Sequence, residues 1–504
     1  MKKKSIAVCL FMLVCSVICE FKSIAQEYPH YRPQICPQPL SCQLSSVDYV
    51  PFDTLIISCP DYKACDWAER HLKEWYGKTS PEVHALVRDA AGLSEGEYSI
   101  DISRDCIRVE SASINGVRYA LYTLRQLAIA KRGTLKLEGW ILPEGHIEDK
   151  PLMDFRGVHI CWFHETEAWE VERLIRLAAY YKMNYAVIES WGTYRSKLFP
   201  WFGWPDGSMT PKEVKRLKKI ADDLGIILIP QINVFGHAAQ ARGAAVKHAT
   251  LDINPEYQSL FEPLDGWNFC LSNPQTRKVL QDMIVERLEV FGNPPYFHIG
   301  CDEASLPSCP VCSSQPYSEL FLEHIKAMNE TINAHGARTM MWHDMLLDHN
   351  DDRWKGFYAS GNSETSASLP DFPRDIIICD WYYGDAHDSY PTIDYFKEKG
   401  FSVLTCPWLN RSGMIQQSKY AYESGIYGVL GTLWHHYFGD DLKMTYFTLA
   451  NSMWNPTAPV FGRGENPSCV NTHIRQIVWD MGIKDPRHTG TFYDEIPPEP
   501  FLNN

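Results

Sequence analysis

In this chain of 504 residues two adjacent carboxylates, Asp302 and Glu303, close a short apolar run, Tyr296-Phe297-His298-Ile299-Gly300-Cys301. A buried strand that stops at Asp-Glu brings two ionisable groups to the rim of a sheet, where each raises the other's pKa. Such a pair suits acid-base chemistry. Close behind it, Cys309-Pro310-Val311-Cys312 forms a second constellation. A single C-x-x-C reads as a disulfide, as two thiols, or as half a zinc knuckle that Cys301, Cys270 or a histidine would complete.

The elements that must hold these residues follow a strand-helix rhythm beyond Asp149-Lys150-Pro151. Strands are expected over residues 155–163, 184–190, 226–233, 296–303, 338–345, 376–383, 402–408 and 428–434. Helical patterns are expected over 166–181, 210–224, 274–291 and 318–335, with Thr210-Pro211-Lys212-Glu213 as a well-formed helix start. Eight such units predict a (β/α)8 TIM barrel spanning residues 149–458. An open, doubly wound sheet is the competing architecture, but no Gly-rich phosphate loop follows the first strand.

In such a barrel the functional groups stand at the C-terminal strand ends. Those ends carry Glu189-Ser190-Trp191, Gln231 to His237, Asp302-Glu303, Trp342-His343-Asp344, Trp381-Tyr382-Tyr383, Trp408-Leu409-Asn410 and Trp434-His435-His436. Tryptophan with a polar partner at most of them describes a deep aromatic pocket for a small ligand. Aromatic residues make up 13% of the chain, with 16 Trp and 26 Tyr. Their faces suit the apolar side of a sugar ring, although packing accounts for most aromatics in most proteins.

Residues 26–148 read as a small α+β domain, with strands near 54–58, 97–102 and 106–109 and a helix over 117–130 behind the turn pair Asn115-Gly116. Prolines 29, 33, 37 and 39 suggest an extended lead-in. Residues 1–25 read as a signal peptide: Lys2 to Lys4, an apolar run over 5–19, then Ser23-Ile24-Ala25, with cleavage expected after Ala25. The run is too short to span a membrane, and neither Cys15 nor Cys19 has a lipoprotein context. An exported protein is expected, periplasmic or alternatively secreted. Residues 459–504 form a C-terminal extension of unassigned role, and nothing in the pattern fixes an oligomeric state.

The segment removed carries four lysines and one glutamate, so the formal net charge of −14 becomes −17. So acidic a chain has no footprint for nucleic acid or an anionic membrane. Of the 16 cysteines three leave with the leader, and the odd number remaining cannot all pair.

His298-Ile299-Gly300-Cys301-Asp302-Glu303 resembles the H-x-G-G-D-E motif of family-20 glycoside hydrolases, the β-N-acetylhexosaminidases. Ile147-Glu148-Asp149-Lys150-Pro151 and Phe155-Arg156-Gly157 are similar to that family's entry into the barrel. Lys182-Met183-Asn184, Gln231 with Phe235-Gly236-His237, and Trp342-His343-Asp344-Met345 resemble its hexosaminidase D-like branch most. The resemblance implies exo-acting removal of a terminal β-linked N-acetylhexosamine, with the substrate's own acetamido oxygen as nucleophile, an exception to the two-carboxylate rule. It implies that Glu303 is the general acid and later the base, helped by a charged neighbour that raises its pKa. Asp302 would hold the acetamido N–H and balance the oxazolinium charge. Arg156 would grip ring hydroxyls, Trp342, Trp381 and Trp434 would wall the pocket, Tyr383 would steady the acetamido oxygen, and His237 would sit beside the acids. Glu189, Asp344, Trp408 and Asn410 complete the candidate substrate contacts. No cofactor is implied, and the mechanism requires no metal.

Three departures bear on selectivity. Cys301 stands where many relatives have Gly, Trp408-Leu409-Asn410 replaces a Tyr-x-Asp pattern, and His436 stands where lysosomal-type relatives carry Glu. The loss of two acidic acceptors suggests N-acetylgalactosamine preference, or tolerance of a sulfate on the sugar. Two other readings remain: a noncatalytic carbohydrate-binding barrel, and a glycosidase using distant carboxylates such as Glu189 and Glu303 as acid and nucleophile.

Overall fold

The N-terminal sheet consists of β1 (Ser41–Pro51), β2 (Thr54–Ser58), β3 (Glu82–Ala85), β4 (Tyr98–Ile102), β5 (Ile107–Ser111), β6 (Ile129–Arg132) and β7 (Leu137–Asp149). Its order is β1-β7-β4-β5-β2-β3, with β6 paired to β7, and it mixes parallel and antiparallel pairs. This computed structural model describes residues 35–86, 92–132, 137–164, 166–238, 250–263, 266–434, 440–458 and 469–482. The expected leader, Pro29, Pro33 and His436 lie outside the described residues.

Two helices, α1 (Lys63–Tyr76) and α2 (Ile114–Leu127), pack on the sheet, with Val117, Ala120, Leu121 and Leu124 of α2 fully buried. Asn115-Gly116 does not precede the helix as a turn. It lies in the first turn, because the Ser113 side chain caps the helix by accepting from Gly116 N.

Eight parallel strands then close a barrel: β8 (Phe155–Trp162), β9 (Tyr185–Ser190), β10 (Ile227–Gln231), β11 (Tyr296–His298), β12 (Arg338–Trp342), β13 (Ile377–Tyr382), β14 (Ser402–Pro407) and β15 (Gly428–Leu433). The strand alternation sorts side chains between lumen and helix layer. Phe155, Val187, Ile229, Tyr296, Met340, Ile377, Leu404 and Leu430 pack together inside the barrel. Phe155 stacks on Tyr185 with centroids 4.2 Å apart, filling the floor. Gly157 is required by this packing, since a Cβ there would come within 2.6 Å of the Phe155 ring and 2.9 Å of Leu430. Outside lie α3 (Ala168–Tyr180), α4 (Pro211–Leu224), α5 (Pro274–Val290), α6 (Tyr317–Ala334), α7 (Pro391–Glu398), α8 (Arg411–Ser424) and α9 (Asp440–Trp454). Thr210 caps α4 by accepting from Glu213 N, while the Glu213 carboxylate binds Arg216 instead of reaching back.

The C-terminal extension contributes α10 (Cys469–Asp480), which packs on α3. Asp480 accepts two bonds from the buried Arg125 guanidinium, 2.6 and 2.8 Å, and Tyr180 donates to Gln476. The extension thus clamps barrel and small domain together.

A buried polar knot joins the same two units. Asp149 accepts from Lys182 Nζ (2.9 Å), Tyr98 OH (2.6 Å) and Trp454 Nε1 (2.7 Å), and the Asp149 and Lys182 side chains are wholly shielded from solvent. Removing one partner of a buried ion pair strands the other charge. Replacement of Asp149 by Ala is therefore expected to cost about 3–5 kcal/mol in urea unfolding. The remaining folded fraction should keep the far end of the barrel, around Asp302 and Glu303, unaltered.

Candidate active site

The strand that carries the carboxylates ends earlier than its apolar run suggests. β11 stops at His298 because Gly300, Cys301 and Glu303 adopt positive φ of 66°, 77° and 47°. Only glycine enters this region without strain, so two non-glycine residues held there mark a segment over-determined by its surroundings. A Cβ on Gly300 would fall 1.7 Å from Asn233 Oδ1, so close approach fixes that glycine. The twist turns Asp302 inward, 7% exposed, and leaves the Glu303 side chain 52% exposed at the mouth.

A closed circuit of contacts runs around the mouth. His237 Nε2 lies 3.3 Å from Asp302 Oδ2 and 3.6 Å from Glu303 Oε2. The His237 ring packs against Trp267 and Trp191, and Trp191 packs edge-on to Trp434. Trp434 Nε1 donates to Tyr383 OH at 2.6 Å, and Tyr383 packs against Trp381 and Trp408. Trp381 Nε1 donates to Asp344 Oδ1 (3.1 Å), and Asp344 Oδ2 accepts the backbone N–H of Glu303 at 2.9 Å. The circuit therefore starts and ends at Glu303. Trp342 closes its floor against Trp434 and His298, with centroids 5.7 and 4.4 Å away.

Asp302, Glu303, His237, Trp342, Asp344, Trp381, Tyr383, Trp408 and Trp434 are thus brought together as expected of one pocket. Glu189 is placed behind its wall. Its oxygens are taken by His159 Nε2 (2.8 Å) and Asn233 Nδ2 (2.9 Å), it is 1% exposed, and the His159 ring separates it from the pocket by packing on Trp342 and Trp434. Glu189 supports the floor and has no oxygen open to substrate.

Two further assignments are corrected. Arg156 faces the helix layer, opposite in parity to the inward Gly157. Its guanidinium donates to the carbonyls of Lys182 (3.0 Å) and Met153 (2.6 Å) and to Tyr119 OH (2.9 Å), beneath the Trp454 ring. With these donors spent at the foot of the barrel, it cannot hold ring hydroxyls. Asn410 is the N-cap of α8: its Oδ1 accepts from Gly413 N, and its Nδ2 donates to Asp385. Asp385 restores an exposed carboxylate to this edge, so the rim is not neutral where Asn410 replaces an acid.

Trp267 and Tyr358 were not foreseen. Trp267 Nε1 donates to the Glu303 carbonyl (2.7 Å), and Tyr358 stacks on Trp381 at 4.3 Å. Both sit in irregular loops without periodicity to announce them. Asn233 could have been found, since it continues the inward alternation of Ile229 and Gln231.

Burial is the main cause that raises the Asp344 carboxyl above its ordinary range, with the Asp302 charge second. A folded value above the unfolded one means that folding favours the protonated form. Stability from this group is then present at low pH and lost as pH rises through the folded value. Protonation of Asp344 weakens its hold on the two N–H groups, since a hydroxyl oxygen is a poorer acceptor than a carboxylate one, so acidification should loosen the Glu303 backbone or Trp381 and lower kcat/KM. Asp344→Asn is expected to flatten the stability slope above pH ~4, move the acid limb of kcat/KM to lower pH, and cost about 1–3 kcal/mol in transition-state binding through one unmatched donor. An acid limb left in place in a pH-rate profile would refute the assignment.

An aromatic pocket at the C-terminal mouth of a closed barrel, with two carboxylates on one edge, has the form of a small-ligand site equipped for acid-base chemistry. The family models agree: Glycosyl hydrolase family 20, catalytic domain, matches residues 163–456, and Glycosyl hydrolase family 20, domain 2, matches residues 32–150. The chain belongs to glycosyl hydrolase family 20. It is 24% identical to a β-hexosaminidase of Porphyromonas gingivalis, covering 96% of this chain and 69% of that one. It is 25% identical to the β-hexosaminidase of Vibrio furnissii over 58% of this chain, and spans only 53% of that relative's length. In fold it is similar to an exo β-N-acetylglucosaminidase of Vibrio harveyi solved with N-acetylglucosamine, at 18% identity and TM-score 0.65, covering 91% of this chain and 79% of that one. Likeness to hexosaminidase D of Bos taurus, 24% identical over 39% of this chain and 54% of that one, carries the expected branch only weakly.

Proposed function

We propose that this chain is an exo-acting β-N-acetylhexosaminidase that uses the acetamido oxygen of its substrate as the nucleophile. The observation that carries this reading is the circuit around the mouth. Glu303 is the half-exposed acid, and Asp302 is the inward one beside it. Glu189 and Asp344 have both oxygens engaged, so neither is free to attack an anomeric carbon. This disfavours Glu189 as the second carboxylate of a two-carboxylate mechanism and is in keeping with attack by the sugar's own acetamido oxygen, Asp302 being kept for the acetamido N–H.

In this reading Glu303 protonates the leaving oxygen and then takes a proton from water. Asp302 accepts the acetamido N–H and offsets the positive charge as the oxazolinium ring closes. Tyr383 accepts from Trp434 and meets the Thr432 side chain, two contacts that fix the phenol whose hydroxyl would give its proton to the acetamido oxygen. Trp342, Trp381 and Trp434 enclose the methyl group and the sugar face. The relatives' names point to a hexosaminidase and, for the Vibrio harveyi structure, to N-acetylglucosamine, while N-acetylgalactosamine rests on the sequence departures alone. Asp385 beside Asn410 speaks against a 6-sulfate, which would meet a like charge.

The test is a panel of aryl β-N-acetylglucosaminide, β-N-acetylgalactosaminide and their 6-sulfates, with a thiazoline analogue of the oxazolinium as inhibitor. Turnover of either plain sugar with thiazoline inhibition supports the proposal. Binding without turnover would favour a noncatalytic barrel, and a trapped glycosyl-enzyme would favour a protein nucleophile. We also propose export to the periplasm, supported by Lys2 to Lys4 and the apolar run before Ala25. A periplasmic fraction whose chain does not begin at Gln26 would count against that cleavage.

A further inference from the structure

Just beyond the acidic pair, two loops meet at a group of ligating atoms that hydrolysis does not use. Cys309 and Cys312 come from the loop after β11, Cys270 and Glu262 from the loop that precedes α5. One ligating atom from each of the four lies within 4.8 Å of the others. Cys270 Sγ is 3.7 Å from Cys312 Sγ and 3.9 Å from Cys309 Sγ. A disulfide needs sulfurs about 2.05 Å apart. Sulfurs at about 2.3 Å from a common tetrahedral zinc stand about 3.8 Å from one another, which is the separation found here.

The fourth residue gives an independent sign. Glu262 is 4% exposed, and its Oε2 is held by the backbone N–H groups of Ser308 (2.8 Å) and Cys309 (2.6 Å). Its Oε1 is buried and receives no N–H or O–H donor among the described residues, and the Cys312 thiol interacts with the same carboxylate. A buried carboxylate oxygen left without a partner is costly, and coordination to a cation would remove that cost. Cys301, the completing ligand considered from sequence, is excluded from the group: its buried thiol faces Ile299 O instead.

We propose that Cys270, Cys309, Cys312 and Glu262 bind one structural zinc ion, or a similar thiolate-preferring divalent cation. All four positions of a tetrahedral site are filled by protein, so the ion has no open place for water and stands apart from the hydrolysis. Binding requires the thiols to lose their protons, and Ser272 Oγ, 3.0 Å from Cys312 Sγ, is placed to donate to the resulting thiolate. The ion braces the loops that fix the acid. Between the ligands, Trp267 donates to the Glu303 carbonyl, and Asn268 exchanges bonds with Ser305 N (3.1 Å) and Ser305 O (2.7 Å).

The full chain, purified without a histidine tag from zinc-supplemented medium, is expected to hold about one zinc per chain. Exchange for Co(II) should give the sulfur-to-metal charge-transfer bands and intense d–d absorption of a tetrahedral thiolate site. The double substitution Cys309→Ser with Cys312→Ser should reduce the content to about zero, while Cys301→Ser retains it. A native chain that keeps no metal, or a peptide map of unreduced protein showing a disulfide among Cys270, Cys309 and Cys312, overturns the proposal. So does zinc that persists in the double variant. Metal content and spectrum are read without substrate, so they stand or fall separately from the glycosidase reading.

Discussion

Glu303→Gln is expected to lower kcat/KM on an aryl N-acetylhexosaminide by about 10²–10⁴, a barrier increase of about 3–5 kcal/mol. Gln keeps the size of the side chain and the backbone N–H that Asp344 holds, and the Glu303 side chain is 52% exposed, so folding should not suffer. The loss should appear in kcat with KM little changed, because the removed proton acts only as the glycosidic bond breaks. It should shrink for substrates whose leaving group departs without protonation. A variant with equal losses on activated and poor leaving groups, measured by steady-state kinetics, would remove Glu303 from the role of acid. Retained sugar binding by the variant, measured by calorimetry, would show that the pocket survives the loss of chemistry.

Asp302→Asn should cost about 10²–10³ in kcat, the scale seen when one preorganised partner of a developing charge is removed. The amide can still face His237 Nε2, 3.3 Å away, so geometry is preserved while the negative charge is lost. Stability should move in the other direction. The Asp302 charge is one of the causes holding the Asp344 carboxyl above its ordinary range, after burial. Without it the folded Asp344 ionises more readily, and at neutral pH the folded chain gains relative to the unfolded one. A variant nearly inactive yet melting at or above the parent temperature is the expected combination, checked by calorimetry beside kinetics. A lower melting temperature would mean that Asp302 is held for structure.

The barrel was legible because each strand is a short apolar run separated from the next by a helical pattern, and all eight expected segments contain an observed strand. The edges were not. The run 296–303 reads as continuous strand, yet tertiary contacts such as Asn233 against Gly300 force the left-handed turns that sequence does not display. Arg156 was misplaced for a related reason. β8 is buried on both faces, so no polar alternation reveals which residues look inward, and only the crowding around Gly157 settles the parity. β1 went unseen because most of it is exposed, which leaves no apolar periodicity to read. Cys270 lies 39 residues from Cys309, a separation that only the fold closes.

The knot of Asp149, Lys182, Tyr98 and Trp454 has a consequence for how the chain could be divided. Cutting before Phe155 would leave the ammonium of Lys182 facing the void vacated by its counter-ion, and would uncover the Tyr119 hydroxyl's partner on Arg156 as well. The described residues from Ile35 to Asp154 are therefore not a passenger that can be trimmed away, and drawing the two units apart would break the buried ion pair. Entry and exit of the sugar must be regulated at the rim alone, by the side chains and loops that ring it.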